Sequence, residues 1–126
     1  MNVLFVFLTM IFCHIVDDYY LQGKLASFKQ KSWWEKNAPD QLYKYDYIVA
    51  LIMHSFSWAF MIMLPIAVCQ EFQIGAVFMA MFVINTIVHA IVDDLKANKR
   101  KINLVTDQLV HVGQIIITFI VFISIS

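Results

Sequence analysis

Histidine and aspartate recur at a fixed spacing in this sequence. In three places the two residue types stand four positions apart, which puts both side chains on one face of a helix. Imidazole nitrogen and carboxylate oxygen are ligands that divalent cations such as zinc accept in proteins. The spacing therefore predicts pairs of metal ligands or, as the alternative, hydrogen-bonded pairs of a buried polar network or proton path. The pairs are His14 with Asp18, His89 with Asp93, and Asp107 with His111.

The composition places these pairs in a membrane protein. Of the 126 residues, 61% are hydrophobic and 14% are charged, which leaves too little polar surface for a soluble domain of this size. The formal net charge is zero, so a nucleic-acid partner has no electrostatic support. We expect an all-α fold in which residues 1–126 form a single transmembrane domain, with the lipid bilayer as its partner.

Four apolar stretches approach the roughly 20 residues that a helix needs to cross a bilayer. They cover about residues 2–22, 47–68, 74–93 and 102–125, and they predict an integral membrane four-helix bundle. Between the first two, lysines alternate with aromatic residues over about residues 24–37, which predicts a short interfacial helix at the headgroup level. A solvated loop is the alternative for this segment.

The distribution of basic residues predicts the orientation of the bundle. All nine lysines and arginines lie in the first and third connections between the spans. The positive-inside rule then places both connections in the cytoplasm and both termini outside. With that topology, the ionisable side chains of all four spans, including the isolated His54 of the second span, fall in one layer near the cytoplasmic boundary. This layer predicts a common site.

A short motif occurs twice. The segment that begins at His14 reads H-I-V-D-D, and the segment that begins at His89 reads H-A-I-V-D-D. Both lie at the end of a span, and the two spans run in the same direction. The motif favours a two-plus-two helix repeat about an axis along the membrane normal.

The number of ligand-type residues exceeds the three or four that one zinc ion takes from a protein. Two ions that share a carboxylate, at the roughly 4 Å spacing of hydrolytic pairs, would use them all. We expect one or two divalent ions, with zinc as the metal that best suits the donor set. The predicted metal ligands are His14, Asp18, His89, Asp93, Asp107 and His111.

Further residues receive supporting roles. His54, as a ligand or general base, and Asp107 are the predicted catalytic residues. Asp17 and Asp94 are weaker candidates, because each lies about 100° round the helix from the shared face. The residues predicted to position substrate or to hold the ligands in place are Gln22, Lys96 and Gln108.

In combination, these motifs resemble the family catalogued as domain of unknown function 3307. The pattern H-x-x-x-D-F-x-L-Q, a lone histidine, H-x-x-x-D-x-x-K and D-Q-x-x-H is met from His14 to His111, with Tyr19 in place of the usual phenylalanine. The resemblance covers nearly the whole chain and implies a bacterial or phage-encoded protein of the inner membrane, with no established activity. A looser similarity, to predicted membrane-bound metal-dependent hydrolases and zinc phospholipase C, implies an anionic lipid or phosphoester substrate.

Three functions compete at this stage. The first is a metal-dependent hydrolase acting on a phosphoester or lipid headgroup at the cytoplasmic leaflet. The second is a divalent-ion or proton transporter, or a channel subunit, in which a homo-oligomer would complete the path that the sparse polar residues of the outer half do not supply. The third is a structural or regulatory protein whose bundle is stabilised by a metal.

Overall fold

The computed structural model describes residues 2–126, and it confirms the all-α fold. Within these residues, four helices are long and apolar enough to cross a membrane, as expected of a membrane-spanning bundle. They are α1 (Val3–Val16), which continues as a π-helical turn over Asp17–Leu21, α4 (Asp46–Cys69), α5 (Ala76–Ala97) and α6 (Leu104–Ile125). The first connection contains α2 (Leu25–Phe28), α3 (Lys31–Asn37) and a 3₁₀ turn, Gln41–Tyr43.

The four long helices form a closed ring. Helix α4 packs between α1 and α5, and α6 packs against α5 and α1. Helices α1 and α5, which carry the repeated motif, therefore occupy alternate positions in the ring. That arrangement is compatible with the two-plus-two repeat, which stays a prediction.

The interior of the bundle is divided into an apolar part and a polar layer. The apolar core includes Met10, Trp58, Ile62 and Ile115, all fully buried. The polar layer lies where α1 and α5 end and where α4 and α6 begin. We call this the basic end of the bundle, because the two lysine-bearing connections lie there. The predicted orientation of this end toward the cytoplasm stays a prediction.

The first connection differs from the single interfacial helix predicted over residues 24–37. Two short helices replace it, and the helical path is broken at Lys29 and Gln30. The ring of Phe28 contacts those of Trp33 and Trp34 at centroid distances of 4.7 and 5.4 Å, and the Trp34 indole donates a hydrogen bond of 2.7 Å to the Phe28 carbonyl. The aromatic residues thus pack on one another as well as facing outward, and this packing folds the segment back on itself.

Asn98, just beyond α5, connects the segment around this break to the bundle through two hydrogen bonds. Its side-chain amide donates to the Lys29 carbonyl at 3.0 Å, and its side-chain oxygen accepts from the Lys31 backbone N–H at 2.7 Å. One side chain therefore satisfies backbone groups on both sides of the break. The connection is docked on the basic end, and this docking sets the position of Lys29.

Candidate metal centre

The ionisable side chains of the four long helices converge at the basic end. His54 Nε2 lies 3.3 Å from Asp18 Oδ1, 3.4 Å from Asp93 Oδ2 and 3.2 Å from His89 Nε2. Together with His54 of α4, the residues come from three different helices: Asp18 from the end of α1, and His89 and Asp93 from α5. All four side chains are buried, with His54 1% and His89 0% exposed.

These four residues form what we call the first ligand group. His89 Nε2 is 3.9 Å from Asp18 Oδ1 and 3.8 Å from Asp93 Oδ2. A tetrahedral ion with bonds of about 2.0–2.2 Å has ligand atoms about 3.3–3.6 Å apart. The measured separations bracket that value, and Asp18, His54 and His89 offer ligand atoms that all lie within 4.8 Å of one another, so these three residues have the dimensions of a metal site.

A second ligand group, made up of His111, Asp93 and Asp107, lies beside the first. His111 Nε2 is 3.5 Å from Asp93 Oδ1 and 3.3 Å from Asp107 Oδ1. His89, Asp93 and His111 also offer ligand atoms that all lie within 4.8 Å of one another. Within residues 2–126, neither His111 Nε2 nor Asp107 Oδ1 has a hydrogen-bond partner, although both atoms are buried.

Asp93 connects the two groups. Its Oδ2 faces His54 and His89, and its Oδ1 faces His111. A carboxylate with its two oxygens directed at neighbouring sites is the arrangement that bridges paired metal ions. The residues present therefore fit a divalent metal ion, and Asp93 faces both ligand groups.

A chain of hydrogen bonds assigns the tautomer that His111 has when it is neutral. The Thr118 hydroxyl donates to the Gln114 carbonyl, so Thr118 Oγ1 accepts from the Asn85 amide at 2.8 Å. The Asn85 oxygen then accepts from the Gln114 amide at 3.2 Å, which leaves the Gln114 oxygen to accept from His111 Nδ1 at 3.2 Å. In neutral His111 the proton is therefore on Nδ1, and the Nε2 lone pair points at two carboxylate oxygens.

Asp17 lies behind His54. Its Oδ1 accepts a 2.6 Å hydrogen bond from the Ser57 hydroxyl, and its Oδ2 lies 3.7 Å from His54 Nδ1, too far for a hydrogen bond. Asp17 therefore has the position of a carboxylate that orients a metal-binding histidine, without making that hydrogen bond in the structure. Asp17 was a weaker candidate by helical spacing. The π-helical turn, in which the Gln22 N–H bonds to the Asp17 carbonyl at 3.1 Å, turns both Asp17 and Asp18 inward.

His14 occupies a different position from the one predicted for a ligand. Its Nδ1 accepts a 2.8 Å hydrogen bond from the Trp58 indole, and its Nε2 lies 3.1 Å from the Gln108 side-chain oxygen. Its Nδ1 also lies 3.5 Å from Asp18 Oδ2, so the predicted pair is adjacent, but both ring nitrogens are engaged by Trp58 and Gln108. Trp58, which no pattern in the sequence distinguishes from the other tryptophans, also stacks on His89 at a centroid distance of 4.3 Å.

The three residues with predicted supporting roles divide into two that touch the ligand groups and one that does not. Gln108 donates to Asp107 Oδ2 at 3.1 Å and to Asp18 Oδ2 at 3.3 Å, so it links the two groups. Lys96 Nζ lies 2.6 Å from Asp107 Oδ2. The Gln22 amide donates instead to the backbone carbonyl of Asp18, which supports the helix end.

Lys29 is the residue that sequence reasoning missed. Its Nζ lies 2.6 Å from Asp93 Oδ2, and the residue is 6% exposed. The sequence places it among solvent-facing and headgroup-facing lysines, and no periodicity distinguishes it from Lys24 or Lys31. Asp94, by contrast, faces away from the centre toward Lys99 at 3.3 Å, as its position on the helix predicts.

Comparison with known proteins adds a family but no activity. No curated protein and no solved structure matches the chain. One family profile, described as a protein of unknown function (DUF3307), matches residues 6–126. Because this match covers nearly the whole length, including every residue of both ligand groups, the chain belongs to the DUF3307 family.

Proposed function

We propose that this protein is a membrane-embedded hydrolase whose two divalent ions, bridged by Asp93, act on a phosphoester or lipid headgroup. The observation that carries the proposal is the pair of carboxylate oxygens that face His111 Nε2. They lie 3.3 and 3.5 Å from that buried nitrogen, so a positive charge is needed among the three groups. A metal ion bound by all three would supply that charge, and a proton on Nε2 is the alternative, which the metal analysis below tests.

The charge of the centre supports the same proposal. Four buried aspartates, two of them paired with Lys29 and Lys96, surround the histidines. With neutral histidines, four carboxylates and two ammonium groups leave a formal charge of two negative. Buried charges are normally paired or coordinate metals. One divalent ion would make the centre neutral, and two would make it positive enough to hold an anionic substrate.

A hydrolase would use both the ligand geometry at His111 and the charge of the centre. When bound, a pair of divalent ions polarises a phosphoryl oxygen and lowers the pKa of a water molecule toward about 7. The chain itself supplies Gln108 and Lys96 at Asp107. The Lys96 side chain is 28% exposed, so it reaches from the buried ligands to water at the basic end. Zinc fits the mixture of imidazole and carboxylate donors.

A metal-stabilised structural role is the second candidate, and burial favours it. His89, Asp107 and His111 are each 0% exposed. Structural zinc sites are closed, whereas catalytic sites keep a position open to water. In a structural site, the free energy of metal binding would contribute directly to the stability of the bundle.

The first experiment measures metal content and uses two adjacent aspartates as a matched pair. Asp93→Asn removes the bridging charge with little change in size. Asp94→Asn makes the same change beside it, at a residue that faces Lys99 and accepts a 2.8 Å hydrogen bond from Asn98, which the oxygen of an asparagine can also accept. We expect elemental analysis of protein purified in detergent to find up to two divalent ions per chain in the parent and in Asp94→Asn, with marked loss in Asp93→Asn. Equal metal content in both variants, or none in the parent, would overturn the metal centre.

The second experiment separates the hydrolase from the structural role. The metal-loaded protein is incubated with a chromogenic phosphate monoester, a chromogenic diester, and vesicles that contain an anionic phospholipid. The proposed enzyme releases product with at least one substrate, and Asp93→Asn does not. Bound metal with no turnover, together with a loss of thermal stability on chelation, would favour the structural role.

A further inference from the structure

Lys29 reaches the metal centre from a segment that is held in place by hydrogen bonds and aromatic packing. Asn98 holds the backbone on both sides of it, with bonds of 3.0 and 2.7 Å. The ring of the preceding Phe28 packs against those of Trp33 and Trp34, which also contact each other. Lys29 is 6% exposed, and these contacts hold its backbone in place. Burying its charge is costly unless an opposite charge or a ligand pairs with it.

The partner of Lys29 is the oxygen that a metal would also use. Asp93 Oδ2 accepts from Lys29 Nζ at 2.6 Å and lies 3.4 Å from His54 Nε2. A divalent ion in the first ligand group would take up much of the negative charge of this carboxylate. The Lys29 ammonium would then lie beside the ions with its own charge no longer neutralised.

Lys96 is in the equivalent position at the other ligand group. It donates to Asp107 Oδ2 at 2.6 Å, while Asp107 Oδ1 faces His111. Each ligand group thus has one lysine on a carboxylate ligand, one from the first connection and one from α5. Ammonium groups beside metal ions bind the oxygens of a phosphate group through charge-assisted hydrogen bonds.

We propose that Lys29 is an anion-binding residue of the centre, which takes the phosphate group of the substrate once metal ions share the charge of Asp93. The ligand class is a tetrahedral phosphate group, whether on a free phosphoester or on a lipid headgroup. This inference rests on the proposed function, because without metal ions Lys29 stays paired with Asp93.

The test measures binding of inorganic phosphate by titration calorimetry, in protein with and without bound metal. The variant is Lys29→Met, which keeps the apolar stem and removes the charge. Lys29→Arg restores the charge. Lys31→Met is the control, since Lys31 is half exposed and, among residues 2–126, its ammonium pairs with the exposed Glu35 alone, at 3.7 Å. Elemental analysis accompanies each titration, and vesicles with and without an anionic phosphomonoester lipid distinguish a headgroup from a free phosphoester.

We expect the metal-loaded parent to bind phosphate and the metal-free parent not to bind it. Lys29→Met should weaken phosphate binding about 10- to 100-fold, the loss that follows removal of one charge-assisted hydrogen bond, while holding metal at least as well as the parent. Lys29→Arg should recover most of the affinity, and Lys31→Met should equal the parent.

The results separate a failure of the Lys29 role from a failure of the metal centre. Metal-loaded parent protein that binds no phosphate overturns the role of Lys29 and leaves the metal centre standing, whether or not Lys29→Met folds. Unchanged phosphate affinity in Lys29→Met, or a parallel loss of metal and phosphate, also overturns it. A parent that takes up no divalent metal overturns the proposed function and, with it, this inference.

Discussion

The Lys29–Asp93 ion pair allows a sharp prediction about stability. Lys29→Met leaves Asp93 without its ammonium partner, and both residues of this pair are buried, with side chains 8% and 2% exposed. We expect the metal-free variant to be strongly destabilised. Divalent metal should then restore more stability to the variant than it adds to the parent, because the ions supply the missing positive charge.

The size of the effect follows from the burial of the pair. Removing one partner of a buried ion pair costs about 3–5 kcal/mol, since an uncompensated charge remains. For a chain of this length, about 3–5 °C in the melting midpoint corresponds to each kcal/mol, so the metal-free variant should melt roughly 10–20 °C below the parent. At a metal concentration 100 times Kd, binding stabilises the parent by about 2.7 kcal/mol. Because metal neutralises Asp93, stabilisation of the variant should be larger by about 2–4 kcal/mol.

The assay is thermal unfolding in detergent, followed by circular dichroism, in the presence of a chelator and in the presence of divalent metal. Lys31→Met provides the control. Its partner Glu35 is 64% exposed, and exposed pairs contribute at most about 1 kcal/mol. The control variant should therefore stay within a few degrees of the parent in both conditions.

Two results would refute the reasoning. If the melting midpoints of Lys29→Met and Lys31→Met are equal in the presence of chelator, the Lys29–Asp93 pair does not stabilise the metal-free centre. If metal raises the melting midpoints of the parent and of Lys29→Met equally, metal does not share the charge of Asp93, and the ions lie elsewhere or are absent.

Three further predictions concern other parts of the structure. Gln114→Leu removes the acceptor that fixes the His111 tautomer and should weaken metal affinity about 10- to 100-fold, measured by competition with a coloured chelator. Trp58→Phe keeps an aromatic ring but loses the indole N–H, and it should lower the free energy of unfolding by about 1–3 kcal/mol; no loss in an unfolding titration would show that the bond is unimportant. Cysteines placed at Lys99 and Ser126, in a background without the two native cysteines, should be labelled from opposite sides of the membrane, and labelling of both from one side would refute the predicted topology.

Helical spacing was sufficient to predict most of the polar layer. The i,i+4 pairs place His89 and Asp93 on one face, and the structure has their ligand atoms 3.8 Å apart. His111 and Asp107, predicted in the same way, lie 3.3 Å apart. The four spans and the convergence of their charged ends were predictable because a bilayer fixes helix length and restricts where ionisable groups can lie.

Three features depend on information that periodicity does not carry. Asp17 turns inward because α1 ends in a π-helical turn, which changes the angle between successive side chains. His14 is held beside the centre by the Trp58 indole, and that contact between helices has no local signature. Lys29 enters through a connection whose path is set by Asn98, a residue 69 positions away.

The position of the centre within the bundle bears on the choice between catalysis and transport. Beyond the histidines, the interior is filled by apolar side chains such as Met10, Ile62 and Ile66. The buried polar groups nearest the middle, Asn85 and Thr118, bond to each other at 2.8 Å, so they stabilise the packing and do not line an ion path. An ion that moved from the centre toward the far end of one subunit would exchange charged ligands for the uncharged Asn85 and Thr118 and then for apolar side chains, at the high cost of an unneutralised charge in an apolar interior. The lysines, in contrast, join the centre to the basic end. A site that approaches water at one membrane surface and is closed by an apolar core toward the other suits chemistry on a substrate at that surface, which is why we favour a hydrolase over a transporter.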